Sequence, residues 1–207
     1  MKRVILYLTG ILLTSLIFSC DDYLEAPTKS SMDESVIFST PDLAKSAIDG
    51  IKISFGETNS YRGRFLPWYG MNTDVEWYNS SETPGANSEL VTYSTTPSNS
   101  NMNTDNNTWA KMYEGIERAN MCIKGLRTYG NPQPGTELGY LLGEALTLRA
   151  VYYADLLRGW GDVVKRFEPI TTETLYLPKT SRDTIYKQLI ADLGEAANLV
   201  PWPNETE

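Results

Sequence analysis

The chain contains no histidine, and this absence excludes several kinds of active site within its 207 residues. Without an imidazole there is no Ser-His-Asp triad, no Cys-His pair and no histidine ligand for zinc. Cysteine is scarce as well, with only Cys20 and Cys122. The nearest approach to a catalytic carboxylate pair is Asp74 with Glu76, for which solvation or ion pairing is the simpler role. We therefore predict no enzyme activity, no cofactor and no metal site.

Basic residues are fewer than acidic ones, 18 against 26, which gives the chain a net charge of -8. An acidic chain offers no surface that neutralises phosphates, so nucleic acid is not an expected partner. Phenylalanine is rare, with five copies against five Trp and 13 Tyr. Aromatic rings with a polar edge are typical of a hydrated recognition surface.

The amino terminus carries one short apolar run. Two basic residues precede Val4–Phe18, which is shorter than the about 20 residues that a transmembrane helix needs. The pattern predicts a signal peptide over residues 1–19. Ser19 places a small residue directly before Cys20, as a lipoprotein signal peptidase requires. We predict lipidation of Cys20 and a membrane anchor through its acyl chains; the alternative is an ordinary secretory signal with an incidental cysteine.

Helical periodicity dominates the rest of the chain. Apolar residues recur three and four apart in four segments, which predict helices with N-caps at Thr40 and Ser181. The predicted helices cover residues 41–56, 108–129, 136–158 and 181–200. Antiparallel helices joined by short turns indicate an array of the tetratricopeptide kind. We expect residues 20–39 to form a tether and lead-in, and residues 40–207 to form a helical domain truncated before a carboxy-terminal part.

Residues 57–108 lose the helical period, and a short strand is predicted there at Glu89–Ser94. Their first part, Tyr61–Asn79, concentrates Arg, Trp, Tyr and Asn side chains. Sugars stack on aromatic rings, while planar Arg, Asn and Asp groups bind paired hydroxyls. The segment is therefore a candidate sugar site, although packing onto the helices is the simpler role for any single aromatic side chain.

Four ordered motifs carry a family resemblance. Trp109–Asn120 has the pattern W-x-x-x-Y-x-x-I-x-x-A-N, and Gly143–Leu156 has the pattern G-E-A-x-x-L-R-A-x-Y-Y-x-D-L. Ser181–Leu193 and the acidic start that follows Cys20 complete the set. Together they resemble the SusD/RagB family of Bacteroidota outer-membrane lipoproteins. One departure is Val164, where the family has proline.

The resemblance implies a mainly α, tetratricopeptide-like array with a long irregular ligand-binding loop region, as in SusD-like proteins. It implies a lipid-anchored protein of the outer membrane that faces the cell exterior. Such a protein captures an oligosaccharide or polysaccharide and delivers it to a partner SusC-like TonB-dependent transporter, for which it acts as a lid. Three alternatives stay open: a RagB-like binder of peptides, a structural adaptor of the transporter, and a hydrolase.

The resemblance also implies where the ligand binds. In this family the glycan contacts of the amino-terminal half lie in the loop before the first motif helix. On that basis Arg62, Trp77 and Tyr78 are the leading predicted contacts, followed by Asp74 and Asn79. Because family members run to roughly twice this length or more, the carboxy-terminal part is expected to complete the site.

Overall fold

The structure is a computed structural model and describes residues 33–58, 60–65, 73–78, 83–102 and 108–202, without the side chains of residues 64 and 65. The predicted signal peptide, Cys20 and Asn79 lie outside these residues. The helices of the described part are α1 (Glu34–Ser39), α2 (Pro41–Gly56), α3 (Ala86–Val91), α4 (Thr108–Gly125), α5 (Glu137–Trp160) and α6 (Arg182–Leu199). Strands β1 (Val163–Val164) and β2 (Lys179–Thr180) pair antiparallel, and single π-helical turns cover Tyr61–Phe65 and Leu126–Gly130.

The four long helices predicted from periodicity are confirmed with small shifts at their ends. α2 begins at Pro41 and ends at Gly56, as predicted. α4 passes into a π-helical turn that ends at Gly130, where Asn131 adopts the left-handed conformation that terminates a helix (φ 44°). α5 extends two residues beyond the prediction, to Trp160, and Gly161 then reverses the chain with φ 75°. None of the described helices combines the length and the apolar character that crossing a bilayer requires.

The strand predicted at Glu89–Ser94 is wrong, because α3 occupies the first half of that range. The β-branched and aromatic residues there favour a strand locally. A contact from later in the chain overrides that preference: Asn99 Nδ2 donates to Ala86 O at 2.9 Å and to Glu89 Oε2 at 2.8 Å. Sequence periodicity cannot show these two hydrogen bonds, because their partners lie 10 and 13 positions apart in the chain.

The predicted N-caps lie at the right positions but do not cap through their side chains. Thr40 and Ser181 precede α2 and α6, and neither side chain accepts a hydrogen bond from the first turn. Ser181 Oγ lies instead 2.9 Å from Thr184 Oγ1. Pro41 at the first helical position lacks an N–H, so the start of α2 has one fewer donor to satisfy.

The long helices α4, α5 and α6 pack as consecutive antiparallel neighbours, and α2 lies against α4 and α5. This is a tetratricopeptide-like arrangement, as predicted. The buried apolar side chains between these helices form one core. Its largest fully buried members are Tyr152, Tyr153, Ile48, Ile51, Met112, Ile116, Leu126, Leu146, Leu156 and Ile185. Cys122 is 4% exposed and belongs to this core.

The family motifs supply buried polar groups that connect the helices. Arg149 of α5 donates through Nη1 to Asn120 Oδ1 (2.8 Å) and to Phe167 O (3.0 Å). Its Nη2 donates to Asp192 Oδ2 of α6 at 2.6 Å. Tyr152 OH donates to the α2 carbonyl of Ile51 at 2.6 Å. These motif positions therefore connect α2, α4, α5 and α6 inside the array.

Candidate functional site

The candidate sugar segment begins at a buried tyrosine. The Tyr61 ring lies 4.7 Å from Phe55 and 5.9 Å from Tyr152, measured between ring centroids. Its hydroxyl donates to Asp155 Oδ2 of α5 at 2.7 Å, and the residue is only 4% exposed. Packing onto the helices is thus the role of this aromatic side chain. It holds the first turn of the segment against α5.

Arg62 follows this anchor and its side chain is exposed. Its Nη2 donates to Thr58 Oγ1 at 2.7 Å, within the same turn. Gly63 permits that turn, because a Cβ there would lie 2.3 Å from Thr58 O. Among the described residues, no hydrogen bond or ion pair joins Arg62 to Asp74 or Glu76. The structure therefore presents the predicted Arg62 as an accessible guanidinium group that is separate from both carboxylates.

Residues 73–78 form a compact turn that carries three of the predicted contacts. The Thr73 N–H donates to Glu76 O at 3.1 Å, and Thr73 Oγ1 accepts a 3.4 Å hydrogen bond from the N–H of Val75. Asp74 and Glu76 are both exposed, which agrees with the simpler, solvated role for the pair. In the described ranges, no group of three or more acidic or cysteine side chains could hold a metal ion.

Two of these three predicted contacts, Trp77 and Tyr78, differ in their exposure to solvent. Trp77 is 68% exposed, whereas Tyr78 is half-buried. A large aromatic ring left in water loses the hydrophobic free energy that burial would supply. The Trp77 ring is available for stacking, and the neighbouring Tyr78 borders a concave surface.

That concave surface is a polar cup of about 430 Å³, formed by Tyr78 together with the start of α3 and one buried asparagine. The lining residues are Tyr78, Thr83, Pro84, Gly85, Ala86, Asn87, Ser88 and Asn101. Amide and hydroxyl groups of this kind both donate and accept hydrogen bonds, as sugar hydroxyls require of a partner. Sequence reasoning identified Tyr78 and missed the other members of the cup.

Two buried asparagines hold the cup in shape. Asn99 and Asn101 are each 3% exposed. Asn99 links to α3 as described above, and Asn101 Nδ2 donates to Asn87 Oδ1 at 2.6 Å. Asn99 Oδ1 also accepts from the N–H of Asn101 at 2.9 Å. The only sequence feature that points to these residues is the high Asn content between residues 79 and 108. It indicates an irregular segment, but it does not show which of the amide side chains are buried.

A larger groove of about 490 Å³ lies between residues 165–177 and α6 and is lined by charges of both signs. Four of its charged groups already form ion pairs: Arg127 pairs with Glu195 at 2.6 Å, and Arg149 pairs with Asp192. Its aromatic ring, Phe167, stacks on Tyr153 at 4.9 Å with the Arg149 guanidinium 4.7 Å from the ring centroid. Because the Phe167 ring is half-buried and already contacts Tyr153 and Arg149, it presents less open aromatic surface than Trp77, and we favour the cup beside Trp77.

Comparison with known proteins agrees with the fold and the motifs. The family model described as SusD-like, "Starch-binding associating with outer membrane", matches residues 22–207. The chain belongs to the SusD-like family. It is 28% identical over 198 residues to SusD-like protein P38 of Formosa agariphila, covering 91% of this chain and 36% of that protein.

Solved SusD-like structures share the fold at low identity. A SusD homologue from Bacteroides thetaiotaomicron is similar with a TM-score of 0.67 and 19% identity, over 87% of this chain and 34% of the other. A laminarin-binding SusD-like protein is similar with a TM-score of 0.62 and 19% identity, over 79% of this chain and 35% of the other. This SusD-like chain thus spans about a third of the length of the relatives it matches.

Proposed function

We propose that this SusD-like chain captures an oligosaccharide at the cell surface and delivers it to a partner SusC-like TonB-dependent transporter, acting as its lid. The observation that carries the proposal is the exposed ring of Trp77 next to Tyr78, which borders the polar cup. Two comparisons support a glycan as the ligand: the family description mentions starch binding, and one similar structure is of a laminarin-binding protein.

In this proposal the aromatic ring and the polar groups of the site have separate roles. The Trp77 ring stacks on the C–H face of a sugar ring, which excludes water from both apolar surfaces. Tyr78 and Asn87 offer hydroxyl and amide groups to the sugar hydroxyls, while the buried Asn101 holds Asn87 in place. Arg62 supplies a planar guanidinium that can donate two parallel hydrogen bonds to adjacent hydroxyls. All of these interactions bind and orient a glycan, and none of them breaks a bond.

The predicted contacts Asp74 and Asn79 belong to the same proposal. The Asp74 carboxylate is exposed and can accept hydrogen bonds from two hydroxyls. Because this chain spans about a third of its relatives, we also propose that a carboxy-terminal part of the polypeptide completes the site. Arg62 and Trp77 then represent one wall of a shared site.

Calorimetric titration of the protein with laminarin and with starch tests the binding proposal. We expect Trp77→Ala to weaken binding at least about tenfold, which corresponds to about 1.4 kcal/mol. Trp202→Ala is the matched control, because Trp202 is 69% exposed against 68% for Trp77. Equal affinities of the two variants would show that the stacking surface lies elsewhere. Binding to a panel of peptides but to no glycan would favour the RagB-like alternative.

The anchor and the partner require separate tests. We propose that Cys20 is lipidated and that the acids Asp21 and Asp22 direct the protein to the outer face of the outer membrane. Cys20→Ala should move the protein from the membrane fraction to the soluble fraction, and unchanged fractionation would contradict the anchor. Delivery predicts co-purification with a SusC-like barrel, together with loss of glycan uptake in Trp77→Ala cells that keep normal amounts of the complex.

A further inference from the structure

The larger groove beside α6 is a second concave surface that the proposed glycan site at the cup does not use. Its volume of about 490 Å³ lies within the range of roughly 300–1,000 Å³ that is typical of small-ligand sites. One wall is the connection between β1 and β2, with Lys165, Pro169 and Leu177, and the other wall is α6, with Gln188 and Ala191. The groove thus combines apolar surface with a small number of polar groups, as ligand sites do.

Buried side chains of α4 and α5 hold the connection that forms the first wall. Asn120 Nδ2 donates to the carbonyls of Arg166 and Glu168, at 3.2 Å each. Arg149 Nη1 donates to Phe167 O at 3.0 Å. Asn120 is 1% exposed and Arg149 is 2% exposed, so these three hydrogen bonds are fixed by the core. A site on a segment held in this way is preorganised, and a ligand that binds there loses little free energy to ordering it.

The lining of the groove carries an excess of positive charge. Two of its arginines already pair with carboxylates of α6. Among the described residues, Lys165 forms no ion pair and no hydrogen bond, and its Nζ lies 5.8 Å from the centroid of the Phe167 ring. Arg166 donates to two backbone carbonyls at 2.8 Å each, so its charge has no carboxylate partner in the described ranges. Lys165 and Arg166 therefore remain against one exposed carboxylate, Glu168.

Arg149, which also lines the groove, has one donor without an acceptor. Its Nε is buried and finds no hydrogen-bond partner in the part of the chain that the structure describes. Buried polar atoms are nearly always satisfied, so the surroundings of this guanidinium group are short of acceptors. A negative charge in the groove offsets that shortage electrostatically, because the protein interior screens charges weakly. Charge and hydrogen bonding thus both favour an anion.

We propose that this groove binds a sugar that carries an anionic group, a carboxylate or a sulfate, with the Lys165 ammonium as its counter-charge. Gln188 Oε1, which has no donor among the described residues, accepts a hydrogen bond from a sugar hydroxyl, and Pro169 and Leu177 contact the C–H face. The preference for an anion rests on the groove alone, whereas a sugar as its carrier rests on the proposed glycan capture. The net charge of -8 does not predict this preference, which is a local property of the groove.

Calorimetric titration of the protein with oligogalacturonate and with its methyl ester tests the proposal, because the two ligands differ in charge and share the same sugar. We expect the acid to bind at least about tenfold more tightly than the ester. Lys165→Gln should abolish that preference, whereas Glu168→Gln should increase it by removing the negative charge of the lining. Lys187→Gln is the matched control, because Lys187 is an exposed lysine of α6 outside the lining. Sulfated laminarin compared with laminarin repeats the test for a sulfate.

Equal affinities for the charged and the neutral form of both sugars would overturn the proposal, and so would a preference that survives Lys165→Gln. An equal loss in Lys187→Gln would also overturn it, because the effect would then come from overall charge. If acidic peptides bind in a Lys165-dependent manner and no acidic sugar does, the sugar is the wrong carrier. Trp77→Ala separates this groove from the cup: it should weaken binding of laminarin and leave the preference for the acid over the ester unchanged. Failure of either site is therefore visible without the other.

Discussion

Arg149 of α5 and Asp192 of α6 form an ion pair of 2.6 Å in which the side chains are only 3% and 4% exposed. Asp192 accepts a further hydrogen bond from Gln188 Nε2 at 2.9 Å, and Arg149 is also bound to Asn120 and to the carbonyl of Phe167. The pair is therefore the point where α4, α5, α6 and the 161–181 connection meet. Burial of both charges is tolerated because each has hydrogen-bond partners besides the other.

Removing one partner of this pair should be much more damaging than removing both. We expect Arg149→Met to lower the free energy of unfolding by about 3–5 kcal/mol, because it leaves the Asp192 carboxylate buried without its counter-charge. The double variant Arg149→Met/Asp192→Leu should recover part of that loss. Urea unfolding followed by tryptophan fluorescence measures the free energy of unfolding of the unsubstituted protein and of the two variants. A double variant that is less stable than Arg149→Met would contradict this account of the pair.

The hydroxyl of Tyr61 connects the start of the candidate sugar segment to α5. Tyr61→Phe removes the 2.7 Å hydrogen bond to Asp155, whose Oδ1 still lies 3.5 Å from Arg158 Nη1. We expect a loss of about 1–3 kcal/mol in unfolding free energy, because a buried carboxylate oxygen loses a donor. Tyr93→Phe is the control, since Tyr93 is 79% exposed. Equal stability of the two variants would show that the Tyr61 hydroxyl does not anchor the segment.

The helical array could be predicted from the sequence because the spacing of apolar residues within each helix is a local pattern. In α4, Met112, Ile116, Ala119 and Ile123 are spaced three and four apart and all are buried. The strand predicted in place of α3 failed because the decisive contacts come from Asn99, ten or more residues away. The paired strands β1 and β2 were also not predicted, since each has only two residues and their partners are 15 or more positions apart.

The candidate site was predictable in its exposed residues and less so in its buried ones. Arg62 and Trp77 are exposed as a ligand contact must be, and those residue types suggested sugar binding before any geometry was known. Tyr61 has the same side-chain type as Tyr78 but is buried in the core. Asn101 lies in an Asn-rich stretch in which neighbouring amides look alike, so only three-dimensional contacts reveal that it lines the cup.

Two glycines should respond to the same substitution in opposite directions. A Cβ at Gly115 would lie 2.4 Å from the Tyr152 ring, which cannot retreat because its hydroxyl is bound to Ile51 O. We expect Gly115→Ala to destabilise the protein by about 1–3 kcal/mol through overpacking. Gly50→Ala meets no atom within 4 Å and should stabilise it by up to about 1 kcal/mol, because alanine is the better helix former. Thermal unfolding of both variants measures the difference, and a shift in the same direction would contradict the close contact.

Stability should fall at alkaline pH because burial raises the pKa of several core groups. Burial raises the pKa of the Cys122 thiol from 9.0 to about 12 and raises the pKa values of the Tyr113, Tyr152 and Tyr153 hydroxyls well above 10. Each group stays protonated when folded and loses its proton more readily when unfolded. Its contribution is therefore complete below the unfolded-state pKa and is lost as the pH rises toward the folded-state pKa.

The expected profile is a constant free energy of unfolding up to about pH 8, followed by a decline of up to about 1.4 kcal/mol per pH unit for each titrating group. Urea unfolding at half-unit steps from pH 7 to pH 11 measures it. In Cys122→Ala the decline should begin nearer pH 10 than pH 9, because only the tyrosines then remain. A flat profile to pH 11, or an unchanged onset in Cys122→Ala, would show that these groups do not control the alkaline limit of the fold.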